Sequence, residues 1–301
     1  MNPADDFRNA IASAGMEPPA EVVADGRIHR FSPTGKRRDD AAWYVLHLGG
    51  VPAGSFGNWR GGFSQCWCAK RESELSATER KALAQRIEVM RRQRDADQRQ
   101  RHANAAASAA TRWDAATPAT EHPYLAHKDV QAHGLRIEAG RTLLVPMRDA
   151  LGRLHGVQGI APDGTKRFMP GQRVKGLYHA IGKPAGRLVV CEGYATGASI
   201  HEDSGHAVAV AFNAGNLMDV AKALRSKFPC LKLVVAADDD AATTGNPGRT
   251  YAEQAALAVG GVVVPMHPRR DPGASCDFND LHKLAGPDAV RACLAEMEVQ
   301  A

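Results

Sequence analysis

Three short apolar runs in the second half of the chain constrain its fold more than any other feature. They read RLVVC from Arg187, HAVAVAF from His206 and LKLVVAA from Leu231, with helix-length segments between them. Each is rich in β-branched residues and bounded by turn formers, the pattern of strands buried on both faces of a parallel sheet. The first run leads into Glu192 and the third into Asp238, Asp239 and Asp240, so carboxylates emerge where the chain leaves the sheet. In open α/β sheets, ligands bind at that carboxyl edge. Carboxylates gathered there repel one another unless a divalent cation neutralises them, and Mg²⁺ takes one or two such oxygens together with waters and substrate phosphates. An Asp-Asp run alone is also the mark of a solvated loop. Its pairing with a Glu-Gly turn one crossover earlier is what singles this edge out.

The turn reads CEGYATG over 191–197, and the third run continues as AADDD over 236–240. Together they resemble the glutamate motif and the Asp-x-Asp motif of the TOPRIM domain, which primases, topoisomerases and certain nucleases share. On that resemblance Glu192 matches the family's glutamate, Asp238 and Asp240 match its two aspartates, and Asp239 is the spacer. The resemblance implies a compact sheet with flanking helices that binds Mg²⁺, or Mn²⁺, and manages phosphodiester chemistry.

At 301 residues the chain has room for two domains, or three if one is small. Hydrophobic residues make up 44% and charged residues 24%, which supports a sizeable core and argues against wholesale disorder. No apolar run reaches the length of a membrane span, and the start, MNPADDFRNAIASAG, lacks the basic and apolar regions of a signal peptide. A cytoplasmic protein with no membrane partner is therefore expected. The six cysteines are scattered, and Cys66-x-Cys68 without a second pair falls short of four zinc ligands, so reduced structural thiols and no zinc are expected. The net charge of +5 suits a polyanionic partner.

In chain order, a short amphipathic helix is expected over Asp5–Ala14, ended by Glu17-Pro18-Pro19. The stretch from Gly26 to Cys68 is dense in Gly and aromatics, with AWYVLHL and VPAGSF flanking Gly49-Gly50 as a hairpin. Trp43, Trp59 and Trp67 fall here beside Arg27, Arg30, Lys36, Arg37, Arg38 and Arg60. Rings interleaved with cations suit single-stranded nucleic acid, but a small sheet also needs large aromatics to fill its core. Packing is the plainer role for the tryptophans, and Lys36, Arg37 and Arg38 are better placed to touch nucleic acid. From Ser76 to Arg112 no Gly or Pro occurs, which predicts a long helix with a thin stripe of Ala82, Ile87 and Met90, a solvated and Arg-rich linker. A short helical piece ending at Pro118 and a second one beginning near His122 should follow. TLLVPMRDALGRLHGVQGIAPDGTKRF then reads as an antiparallel meander with turns at 149–152 and 162–164.

This order, a meander carrying K-R-F and then V-K-G-L-Y-H before the glutamate motif, resembles the catalytic core of DnaG-type primases and their phage and plasmid relatives over Trp113–Ala295. In that family, lysines in these contexts face nucleic acid and nucleotide, and the matching residues are Lys166 and Lys175, with Arg167 beside the first. Past Asp240, RTYAEQAALAV predicts a helix and GVVVPM a fourth strand. The loop after it carries Asp271, Asp277 and Asp280, and D-F-N-D-L resembles a third acidic position of the family, leaving Asp277 and Asp280 both open as the ligand. A helix from Pro287 to Met297 closes the chain. The N-terminal third departs from the bacterial family, which begins with a zinc ribbon, and resembles instead the start of mobile-element TOPRIM proteins.

The expected architecture is α/β: a Gly/Trp-rich small β domain over 1–75, an Arg-rich helical linker over 76–112, a basic α+β subdomain over 113–186, and a TOPRIM parallel-sheet domain over 187–301. No G-x-x-x-x-G-K-[ST] motif occurs, which argues against a built-in motor and leaves a separate replicative helicase as an expected partner. The resemblance implies a DNA primase that joins nucleoside triphosphates on a single-stranded DNA template, with Glu192, Asp238, Asp240, Lys175 and Lys166 in catalysis. Glu192, Asp238, Asp240, Asp277 and Asp280 are the metal candidates. Lys36, Arg37, Arg38, Arg60, Lys166, Arg167 and Lys175 are the nucleic-acid candidates. A metal-dependent nuclease using the same acids, or a non-catalytic single-strand-binding accessory, is the alternative. His201, His206, His267 and His282 are read as structural.

Overall fold

The structure is a computed structural model and describes residues 2–37, 39–60, 62–240, 243–265 and 276–295. It divides into two compact units, Met1–Gln100 and Arg101–Ala301.

The first unit is a four-stranded antiparallel sheet with helices on it. Helix α1 spans Pro3–Ser13, and Asn2 caps it by accepting from the Ala4 N–H at 3.1 Å. Strands β1 (His29–Phe31), β2 (Ala42–His47), β3 (Ala53–Asn58) and β4 (Phe63–Cys68) follow, and β2 and β3 form the expected hairpin with His47 opposite Ala53. Side chains alternate across β2. Tyr44 and Leu46 pack with Phe56 against Phe7 and Ile11 of α1, whereas Trp43 and Val45 pack on the other face against Met90. Both faces are covered, so the strand reads as one unbroken apolar run. Of the tryptophans, Trp43 is core, Trp67 stacks edge-on with Phe7 at 5.4 Å, and Trp59 lies under the Arg30 guanidinium at 5.0 Å.

Met90 belongs to α2, one helix over Ala77–Ala115. It runs on through 111–115, where a separate helical piece was expected. Nothing between Ser76 and Ala115 breaks a helix, and the first stop signal is Pro118, which disfavours helical geometry at the residue before it. Thr117–Pro118 forms strand β5 instead.

In the second unit, α3 (Pro123–Lys128) follows with His122 as its N-cap, and β6 (Arg136–Glu138), β7 (Thr142–Arg148), β8 (Leu154–Ile160) and β9 (Lys166–Phe168) complete an antiparallel meander in the order β5-β6-β7-β8-β9. Its turns sit where expected, and Gly152 and Gly164 supply the positive φ they require. The second sheet holds β10 (His179–Ile181), β11 (Arg187–Cys191), β12 (Ala207–Val210), β13 (Lys232–Ala237) and β14 (Val262–Pro265) in the order β10-β12-β11-β13-β14. Four of these run parallel, and β10 joins antiparallel beside β12, an edge strand that the sequence reading did not include.

Alternation again explains the continuous apolar runs. Val189, Cys191, Val208, Val210, Val234 and Ala236 face α4 (Tyr194–Ser204), α7 (Phe278–Ala285) and α8 (Pro287–Ala295). Leu188, Val190, Ala209, Leu233 and Val235 face α5 (Leu217–Lys227) and α6 (Pro247–Val259). Gly197 lets α4 lie close on the sheet, because a Cβ there would stand 2.8 Å from Val210 Cγ2 and 3.0 Å from Cys191 Sγ. The strand order reverses between β11 and β13. That is the topological switch point, where the carboxyl ends of the two strands open a crevice.

Candidate active site

Both sides of the switch point carry acids. Glu192 follows β11 directly, and Gly193 after it is the N-cap of α4, with no side chain to satisfy the free N–H groups of the first turn. Burial raises the Glu192 pKa, and Asp240 adds to the shift, while the Ala214 N–H and Lys166 act against it.

Directly after β13 the three aspartates have different partners. Asp238 is held well above the usual carboxylate range by burial, then by the charges of Asp277, Glu192 and Asp240, and its Oδ1 is buried with no hydrogen-bond partner. Asp239 turns away and accepts from Asn246 Nδ2 at 2.6 Å. Asp240 Oδ2 accepts from the Gly248 N–H at 3.0 Å in the first turn of α6. Gly248 is required there, since a Cβ would lie 2.7 Å from Asp238 O and 2.8 Å from Asp240 Oδ2. The alternation of a strand end thus brings the first and third aspartates into one another's field and turns the spacer elsewhere.

A fourth acid arrives from the far end of the chain. Cys276 forms an antiparallel bridge with Asp239, and Asp277 beside it is the N-cap of α7. Asp277 Oδ1 accepts from the Asp280 N–H at 2.9 Å, and Asp280 Oδ2 accepts from the Asp277 N–H at 3.2 Å, a reciprocal capping box. Asp277 reaches Asp238, Glu192, Cys191, Lys166 and Tyr124 electrostatically, whereas the Asp280 carboxylate is turned back to the helix start.

Lys166 on β9 stands over this edge. A Cβ at Gly193 would lie 3.9 Å from its Nζ, which also lies 5.7 Å from the centre of the Tyr124 ring. The residue is exposed along its stem while its ammonium is crowded by the site. Desolvation lowers the Lys166 pKa, with Lys128 adding to the shift, against the pull of Asp277, Glu192 and Asp238.

The other candidate cations have surroundings of their own. Lys175 sits on a turn, is 79% exposed and pairs with Asp219 at 3.5 Å. Arg167 lines a cavity of about 490 Å³ over the meander with Arg112, Thr165 and Phe168. In the first unit Lys36 and Arg37 are exposed, and Arg60 makes two hydrogen bonds to Asp39, at 3.1 and 3.4 Å. Arg38, Asp271 and His267 lie outside the described residues. Of the other histidines, His201 Nδ1 lies 2.7 Å from His206 O and His282 Nδ1 lies 2.9 Å from Asp203. Tyr124 is the site residue that sequence reasoning missed. Its stretch, HPYLAHKD, carries no signal beyond a helix start.

The oxygen-only donor set and the unpartnered Asp238 Oδ1 fit a hard divalent cation. Among the described residues no group of three or more His, Cys, Asp or Glu already converges on metal-holding geometry.

The chain is similar to several known proteins. Residues 187–288 match the Toprim domain family. The chain is 39% identical over 287 residues to a DNA primase TraC of Escherichia coli, covering 88% of this chain and 26% of that one. A second DNA primase TraC of Escherichia coli is 32% identical over 324 residues, covering 99% of this chain and 22% of that one. The chain therefore spans about a quarter of the length of these curated relatives. The primase fragment of the bacteriophage T7 primase-helicase protein superposes with a TM-score of 0.45 at 13% identity, over 60% of this chain and 75% of that one. No helix among the described residues is long and apolar enough to cross a membrane. Residues 187–288 of this chain form a Toprim domain, carrying its acids at the switch point of the sheet.

Proposed function

We propose that the chain is the catalytic part of a DNA primase of a plasmid, phage or other mobile element, joining nucleoside triphosphates into short primers on single-stranded DNA. The observation that supports this reading is that Glu192, Asp238, Asp240 and Asp277 lie within one another's field at the carboxyl ends of β11 and β13, with Lys166 over Gly193. Similarity to two proteins named DNA primase supports it.

In this reading Glu192, Asp238, Asp240 and Asp277 hold divalent cations, Mg²⁺ in the cell. Asp280 serves as the capping partner that fixes Asp277. Bound cations supply positive charge that orients a triphosphate and offsets charge on the attacking and leaving oxygens. The chain's own groups do the positioning. Asp238 offers its unpartnered oxygen, Asp240 is held by the Gly248 N–H, and Asn246 keeps Asp239 out of the way. Lys166 meets a phosphoryl oxygen of the incoming nucleotide as a point charge. A primer 3′-hydroxyl then attacks the α-phosphorus and pyrophosphate leaves.

Lys36, Arg37, Arg38, Arg60 and Arg167 take template phosphates in the same reading. The Lys175 contribution is the smaller of the two lysines, because its ammonium already pairs with Asp219. A separate replicative helicase supplies the unwound strand, and the place of work is the cytoplasm, where template and nucleotides are. Incubation with circular single-stranded DNA, labelled nucleotides and Mg²⁺ tests the reading. Short labelled products support it, and cleavage of the circle would point to a nuclease.

A further inference from the structure

Tyr124 is only 3% exposed, and its hydroxyl has no hydrogen-bond partner. Buried polar groups in folded proteins are almost always paired, and a phenylalanine would fill the same core space without leaving one unpaired. Tyr194, in the same core, shows the ordinary arrangement. Its hydroxyl donates to Gln131 O at 2.7 Å and accepts from the His133 N–H at 2.8 Å.

The position of Tyr124 explains the difference. Its ring lies under Lys166 Nζ, 5.7 Å from the centroid, at the carboxyl edge of the sheet. The Ala195 N–H, in the uncapped first turn of α4, faces the hydroxyl oxygen without completing a hydrogen bond. The carboxylate whose charge reaches the hydroxyl is that of Asp277. Asp277 uses Oδ1 for the Asp280 N–H, and no hydrogen bond reaches its Oδ2 among the described residues. An open donor and an open acceptor therefore both stand at the carboxyl edge of the sheet, Tyr124 under the Lys166 that reaches Gly193 and Asp277 beside the Asp239–Cys276 bridge, and Asp238 Oδ1 is open there too.

Resting on the reading of Asp277 as a cation ligand, we infer that Tyr124 is a positioning residue whose hydroxyl donates to Asp277 Oδ2 and holds that carboxylate toward Asp238 and Glu192 as a divalent cation binds. The carboxylate keeps lone pairs for the cation after accepting this bond. Tyr124 does not touch the cation. It acts by fixing the orientation of a ligand, as outer partners of metal-binding carboxylates do.

Mn²⁺ binding to the full chain, followed by electron paramagnetic resonance without nucleotide or DNA, tests the inference apart from any activity. Tyr124→Phe, which removes one oxygen, should weaken Mn²⁺ about tenfold, the low end of the effect of losing an outer partner, while leaving metal-free Tm unchanged or higher. Tyr194→Phe should lower Tm and leave Mn²⁺ affinity alone. If Tyr194→Phe weakens the metal as much as Tyr124→Phe, the effect is one of packing and the inference fails. If Asp238→Asn loses Mn²⁺ and Tyr124→Phe binds as wild type, Tyr124 has no positioning role although the site reading stands. If all three bind as wild type, the reading of the acids as a metal site falls with it.

Discussion

Asp239 and Cys276 exchange a pair of backbone hydrogen bonds, Asp239 N–H to Cys276 O at 3.0 Å and Cys276 N–H to Asp239 O at 2.9 Å. The bridge ties the segment before α7 to the end of β13, and it leaves Asp277 at the acids of the Asp-x-Asp turn. Cys276→Pro removes one of the two donors. The loss of one such bond costs about 0.5–1.5 kcal/mol, so the fold should survive while Asp277 drifts. Calorimetry should show weaker Mg²⁺ binding in Cys276→Pro than in Cys276→Ala, which keeps the N–H.

Asp238 gives a prediction that depends on pH and metal. Burial and three neighbouring carboxylates raise its folded pKa above that of an unfolded chain, so it takes up a proton on folding. Keeping it in the folded site therefore costs stability at neutral pH, and that cost shrinks as pH falls below the folded value and is gone below the unfolded one. In metal-free buffer at pH 7, Asp238→Asn should raise Tm by about 2–4 °C, the shift of ~1 kcal/mol in a unit of this size. The advantage should shrink toward pH 5. In Mg²⁺ the order should reverse, with wild type gaining and the variant not. Differential scanning calorimetry across pH with EDTA or Mg²⁺ checks both halves.

The two candidate lysines should behave unequally. The family resemblance brings both lysines to the site, but the Lys175 ammonium is exposed and paired with Asp219, whereas Lys166 stands over Gly193 and Tyr124. Lys166→Ala should cut kcat/KM for nucleotide at least tenfold, about 1.4 kcal/mol of lost stabilisation, with Mn²⁺ binding kept. Lys175→Ala should stay within about threefold, as befits an exposed pair. Steady-state primer synthesis by the two variants decides between the orders.

The sheet was legible in the sequence because both of its faces are buried, which makes β11, β12 and β13 read as unbroken β-branched runs ended by acids. Glu192, Asp238 and Asp240 followed from where those runs stop. Strand β10 was not legible: His179–Ile181 is too short to carry a period, and its pairing with β12 is tertiary. The capping box that joins Asp277 to Asp280 was not legible, since either can precede a helix. Tyr124 was invisible for a different reason. An apolar ring in a helix start announces packing, and only the partners missing from its hydroxyl reveal anything further.

In the first unit, Trp43 and Trp59 are to be separated from Lys36 and Arg37. Trp43→Ala should destabilise that unit by about 3–5 kcal/mol, because the ring fills the face against Met90. Lys36→Ala with Arg37→Ala should leave Tm alone and reduce the slope of log K against log salt for single-stranded DNA by about 1.4, two phosphates at ~0.7 each. Fluorescence anisotropy over a salt series measures that slope.

The central claim is that the acids at the β11/β13 switch point join nucleotides on a template. Its most direct test is the yield of short labelled products from circular single-stranded DNA, nucleoside triphosphates and Mg²⁺, compared between wild type and Asp240→Asn. Asp240 is chosen because its Gly248 hydrogen bond can persist with an amide oxygen while the charge is lost. The account predicts template-dependent products from wild type and at least a hundredfold fewer from the variant, with equal binding to the DNA. Equal yields from both proteins would contradict it.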